Sequence, residues 1–212
     1  MDSLDSHDEV ERLKTWWKEY GAAIIVGTVL GAALIVGVNY WKQHSSDRAR
    51  AASALYEQLE EKFNQKKTEE AQAIGAQLMK DYDATPYAGR AALILAKLSF
   101  DANDLPSARS QLQWAIDHAE EPSARHLARL RLARLLLAQN ETEAARKLID
   151  IENVDGFASA YQELKGDAAR QQGKPDEARK AYRAARDALA QGSAYARILD
   201  MKLADLGPEA TP

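Results

Sequence analysis

The 212-residue chain has no cysteine, which removes disulfide frameworks, thiolate metal sites, thiol nucleophiles and lipidated cysteine anchors together. Glycine (11) and proline (6) are few and fall mostly between periodic segments. The long stretches they leave are rich in alanine, leucine, arginine, glutamate and glutamine, all strong helix formers. No segment alternates apolar and polar residues as a half-buried strand does, so the expected fold class is all-α. Excess charge of one sign is also small, with 28 lysines and arginines against 32 acids. The net charge is -4, and residues 1–41 supply -3 of it through six acids against Arg12, Lys14 and Lys18, which argues against nucleic acid as a partner. The four histidines, His7, His44, His118 and His126, show neither metal-ligand spacing nor an adjoining acid cluster, and each reads as solvated surface. No phosphate loop, nucleophile elbow or paired-acid motif is present, so neither catalytic residues, a cofactor nor a metal is expected.

What is there begins with an uncharged run. Residues 20–41, YGAAIIVGTVLGAALIVGVNYW, form a 22-residue segment that as a helix covers a hydrocarbon core of about 30 Å. Trp16, Trp17 and Tyr20 precede it and Tyr40 and Trp41 close it, as rings at the headgroup level do. A signal-peptidase site is missing, because bulky Asn39-Tyr40-Trp41-Lys42 stands where small residues are required. The division expected is a tail over 1–19, a transmembrane helix over 20–41, a soluble helical domain over 42–206 and a disordered tail over 207–212. Residues 1–8 read as mobile, and Val10, Leu13, Trp17 and Tyr20 mark a short amphipathic helix leading into the membrane. Ala23, Gly27 and Gly31 lie four apart and form a candidate packing face for a second transmembrane helix. Lysine and arginine tie across the span, three on each side, so orientation rests on the short tail remaining cytoplasmic while the long domain crosses.

The soluble part repeats. Ala71, Ala108, Ala145 and Ala178 are spaced by 37, 37 and 33 residues, close to the tetratricopeptide period of about 34. In the last unit Gly166, Gly173, Ala178, Tyr182 and Ala185 occupy the small, turn, small, aromatic and small positions of that repeat. Asn103, Asn140 and Gly173 stand where left-handed residues end helices, and Pro86, Pro122 and Pro175 stand where helices begin. Nine soluble helices follow, over 45–63, 68–82, 86–102, 105–119, 122–139, 141–151, 156–172, 175–190 and 193–206. The fold expected is a tetratricopeptide-like helical-repeat solenoid of about four helix pairs with a C-terminal capping helix, behind one transmembrane helix. Tyr195, Ile198, Leu199, Lys202 and Leu203 give that cap its covering face.

Such a stack has a concave side that serves as a binding surface. Repeat numbering turns Tyr56, Glu60, Phe63, Arg90, Leu93, Lys97, Phe100, Leu130, Arg134, Glu163 and Arg170 toward it as candidate protein-binding residues. Against each stands the plainer account that apolar members are core and charged members a solvated face. The run from Ala128 to Leu137 carries leucines all round, so it reads as a buried central helix whose arginines reach water or acids.

The acidic tail, EVERLKTWWKEYG, the anchor ending NYWKQ and the closing GDAARQQGKPDEARKAYRAARDAL together resemble the YfgM family, the ancillary subunits of the SecYEG translocon. The resemblance covers nearly the whole chain. It implies a bacterial inner-membrane protein with its repeat domain in the periplasm. The partners it implies are the translocon, a membrane-anchored periplasmic chaperone of the PpiD type and emerging unfolded secretory proteins. It supplies no catalytic residue. Three rivals remain: a cytoplasmic-facing repeat scaffold for another membrane complex, a self-associating spacer, and an enzyme with its site in the groove, for which the sequence offers only scattered titratable residues.

Overall fold

The computed structural model describes the backbone of residues 5–207, and their side chains except at 5–11, 13, 22–26, 29, 33 and 155. Nine α-helices account for the described chain: α1 (Asp5–Asn64), α2 (Thr68–Asp81), α3 (Pro86–Asp101), α4 (Leu105–His118), α5 (Pro122–Ala138), α6 (Thr142–Ile149), α7 (Ala158–Gln171), α8 (Pro175–Asp187) and α9 (Ala196–Ala204). A short 3-10 turn, Asp155–Phe157, leads into α7. The chain divides into two compact units, Met1–Arg50 and Ala51–Pro212.

The separate helix expected over 45–63 is instead the end of α1. Ser45, Ser46 and Asp47 look like a helix start, but no glycine or proline interrupts the chain there, and Asp47 accepts from Arg50 Nη1 at 3.1 Å one turn on. Residues 5–8 are helical, while residues 1–4 of the expected mobile tail, and 208–212 of the expected C-terminal tail, lie outside the described residues. Leu30, Leu34, Ile35 and Val36 are each more than 60 % exposed, and Trp16, Trp17, Tyr20, Tyr40 and Trp41 are exposed as well. A Cβ added at Gly27 or Gly31 meets nothing within 4 Å, and the side chain of Ala23 and that of His7 lie outside the described set. Among the described residues no helix is long and apolar enough to cross a membrane; the run 20–41 includes positions whose side chains are undescribed.

The second unit is an all-helical repeat array: α1 from residue 51 pairs with α2, then α3 with α4, α5 with α6 and α7 with α8, and α9 packs last. The four register alanines, Ala71, Ala108, Ala145 and Ala178, are all buried at 1 % exposure or less. Paired helices approach closely at another small residue, Gly166, where a Cβ would collide with the Tyr182 ring. Left-handed residues end the first helix of every pair: Lys66 (φ 59°), Asn103 (φ 59°), Asn140 (φ 62°) and Gly173 (φ 73°). The first turn, degenerate in sequence, therefore has the same geometry as the others. Pro86, Pro122 and Pro175 each open a helix, where a missing N–H leaves nothing unsatisfied.

Helix α5 is the core of the array. Leu130, Leu132, Ala133, Leu135 and Leu136 are all buried, and α3, α4, α6 and α7 pack around them. His126, expected at the surface, is also buried. Its Nδ1 lies 2.9 Å from the Tyr161 hydroxyl and its ring stacks on Phe157 at 5.2 Å, so the polar ring is satisfied by a partner from α7 rather than by water.

Candidate protein-binding groove

Successive first helices of the array leave recesses between them. Between α3 and α5 lies a groove of about 420 Å³, floored by Ala108 and Leu112 of α4. Its walls are Ala96, Lys97 and Phe100 from α3 and Arg131, Arg134, Leu135 and Ala138 from α5. Small alanines at the facing positions keep it deep, and Phe100 stands 56 % exposed at its edge. The exposed aromatic ring beside an apolar recess makes this groove the candidate contact surface.

The lining carries three cations and no acid. Lys97 is held to Asp101, one turn along its own helix, at 2.7 and 2.8 Å. Arg131 is half-buried and donates to the Leu93 carbonyl at 3.3 Å; burial, and then the charge of Arg134, hold its pKa below the usual arginine range. Arg134 is half-exposed and its guanidinium lies 3.9 Å from Glu163, beyond hydrogen-bond distance.

A second recess of about 510 Å³ opens between α5 and α7, lined by Arg134, Leu137, Ala138, Leu164, Asp167, Arg170, Gln171 and Lys202. It shares Arg134 and Ala138 with the first. At its far wall α9 is fastened to α7 by charge. Glu163, only 4 % exposed, accepts from the Tyr195 hydroxyl at 2.9 and 3.0 Å and pairs with Lys202 Nζ at 2.7 Å. Asp167 accepts from the same ammonium at 2.7 and 2.8 Å and from the Tyr182 hydroxyl at 2.7 Å. Burial first, and these carboxylates second, push the Tyr182 and Tyr195 hydroxyls above the usual tyrosine pKa.

Of the residues expected on the binding side, Lys97, Phe100 and Arg134 meet in the first recess, and Arg134 and Arg170 meet in the second. Glu163 is engaged by the cap. Leu93 and Leu130 are buried in the core. Tyr56 and Phe63 are half-buried against the α1–α3 cluster, and Tyr56 contacts the Tyr87 ring at 5.6 Å. Burial and the neighbouring carboxylate of exposed Glu60 raise the Tyr56 hydroxyl pKa to about 12. Arg90 forks onto Glu121 at 2.6 and 3.0 Å. Sequence reasoning missed Arg131, Leu112, Leu135, Ala138, Asp167 and Lys202 as lining residues. Arg131 had a signal, since it precedes Arg134 by three and shares its helix face.

A family model described as a tetratricopeptide repeat-like domain matches residues 14–208. The chain is 31% identical to the ancillary SecYEG translocon subunit of Escherichia coli (strain K12) over 180 residues, 85% of this chain and 86% of that one. Proteins of the same description from Aggregatibacter actinomycetemcomitans and Neisseria gonorrhoeae (strain ATCC 700825 / FA 1090) are each 28% identical, across 96% of this chain and 98% of theirs. With repeat register, paired-helix architecture and near full-length likeness in agreement, the chain belongs to the YfgM family of ancillary SecYEG translocon subunits, built on a tetratricopeptide-like domain.

Proposed function

We propose that the chain is a non-enzymatic accessory subunit of the SecYEG translocon, tethered to the inner membrane by residues 20–41, with residues 1–19 in the cytoplasm and the repeat domain in the periplasm. There its first-helix grooves hold a membrane-anchored chaperone of the PpiD type, an emerging secretory segment, or both. The observation that carries this reading is the α3–α5 groove, whose apolar floor, exposed Phe100 and cationic rim form a surface for another polypeptide. The names of the relatives support association with the translocon. The uncharged run between aromatic belts supplies the tether. Tethering keeps the grooves at high effective concentration beside the channel, so weak individual contacts suffice.

A photo-crosslinking residue at Gly27 or Gly31, and another at Lys97 or Arg134, introduced in cells, tests both surfaces. Captured translocon subunits from the first pair, and a periplasmic chaperone or secretory chain from the second, are expected. Capture of cytoplasmic proteins alone overturns the topology. Capture of a second copy alone replaces the receptor reading with a self-associating scaffold.

A further inference from the structure

The groove specifies more than a polypeptide. Its floor is hydrocarbon, and its rim holds Lys97, Arg131 and Arg134 with no acid among the lining residues. Asp101 neutralises Lys97. Among the described residues the two arginines have no such carboxylate at hydrogen-bond distance: Arg131 reaches a backbone carbonyl at 3.3 Å, and Arg134 reaches Glu163 only at 3.9 Å. That carboxylate already serves Tyr195 and Lys202. Neighbouring like charges beside an apolar recess are relieved by one incoming carboxylate, which makes charge-assisted bonds that water and Glu163 do not supply.

Building on the receptor reading above, we propose that the α3–α5 groove selects segments in which a bulky apolar side chain is followed within two residues by an acidic one, the apolar group entering beside Phe100 and the carboxylate meeting Arg131 and Arg134. A peptide suits the site better than a fatty acid. Arg134 and Ala138 line both this recess and the α5–α7 recess beside it, an extended surface on which an acyl chain has one partner and a polypeptide several.

The test uses the full chain in detergent micelles and a peptide carrying fluorescein on its N-terminal amine, fluoresceinyl-Gly-Ser-Phe-Asp-Glu-Ser-Gly-amide, read by anisotropy. Replacing Asp-Glu with Asn-Gln is expected to weaken binding by about tenfold, the usual worth of a hydrogen bond to a charged group. Replacing Phe with Ala weakens it as well. Arg134→Gln, at a half-exposed position, erases the acid-over-amide preference, and Phe100→Ser erases the preference for Phe. Equal binding of the acidic and amide peptides, an undiminished preference in Arg134→Gln, or displacement by oleate as readily as by the unlabelled peptide each overturns the proposal. A photo-crosslinker at Phe100 in cells separates the two levels. If it captures a secretion partner while the acidic peptide shows no preference, the receptor reading stands and the selection rule falls; if it captures none, both fall.

Discussion

The middle of the array and its C-terminal end are held together by different chemistry. Around α5 apolar packing dominates, with Leu130, Leu132, Leu135 and Leu136 at 5 % exposure or less and His126–Tyr161 a buried polar pair among them. At the end, α9 sends one fully buried apolar residue, Leu199, into the cluster on α8 and secures itself through Tyr195, Lys202, Glu163 and Asp167. Ile198 and Met201 on the same short helix stay 43 % and 63 % exposed. Apolar packing grows with area and is indifferent to direction, which suits helices flanked on both sides. A terminal helix has a neighbour on one side only. Directional hydrogen bonds set its place where area cannot.

The comparison breaks hardest at its apolar side. Leu136→Ala leaves a cavity in the most enclosed helix and is expected to cost about 2–5 kcal/mol, lowering the urea midpoint of the whole repeat domain in one cooperative transition followed by circular dichroism. Lys202→Met leaves Glu163 with the Tyr195 hydroxyl and no close cation, and its cost is about 2 kcal/mol, because a quarter of the lysine side chain still sees water. Pairing it with Glu163→Gln should restore part of the loss, and a strictly additive double-mutant cycle would show the latch to be incidental. Hydrogen exchange should rise in α9 and leave α5 unchanged.

Alkaline pH sharpens the contrast with a smaller effect. The Tyr182 and Tyr195 hydroxyls have folded-state pKa values raised above the unfolded value of about 10, so the unfolded chain loses these protons first. Their contribution is therefore complete below about pH 10 and declines as pH rises beyond it, with Tyr56 at the opposite end following toward about 12. Tyrosinate absorbance read beside helix content should show α9 coming free while α5 holds; a uniform collapse argues against a separate latch. Smallest of all, Lys97→Ala removes an exposed pair with Asp101 and should change stability by less than about 0.5 kcal/mol.

Much of the array was legible because its signals are local. Proline at a helix start, asparagine or glycine at a left-handed turn and alanine at a close crossing each act within a few residues, and the structure returns them at the expected positions. The continuity of α1 was not legible, since Ser45-Ser46-Asp47 suits a helix start and a helix interior alike, and only the absence of a breaker decides. In the groove, the exposed members Lys97, Phe100 and Arg134 were readable from repeat numbering. Leu93 and Leu130 were not separable from them, because a leucine on a first helix looks the same whether it faces a neighbour or the recess. The latch was beyond reach for another reason: Lys202 meets Glu163 and Asp167 across 39 and 35 residues, a pairing fixed by where α9 lands. Burial of His126 depends in the same way on Tyr161, 35 residues away.

That polar fastening bears on how such a protein changes length. Helices α3, α5 and α7 each follow a second helix of the preceding pair, and α9 follows α8 in the same order, with Leu199 entering beside Ala178, Tyr182 and Ala185. The surface α9 covers is thus of the kind on which a further pair would stack. A lineage that gains or sheds a repeat would have to move this last helix and find new partners for Glu163 and Asp167 of α7, while the leucine-rich interior upstream keeps its contacts. The joint between α8 and α9 is where the array is open to revision.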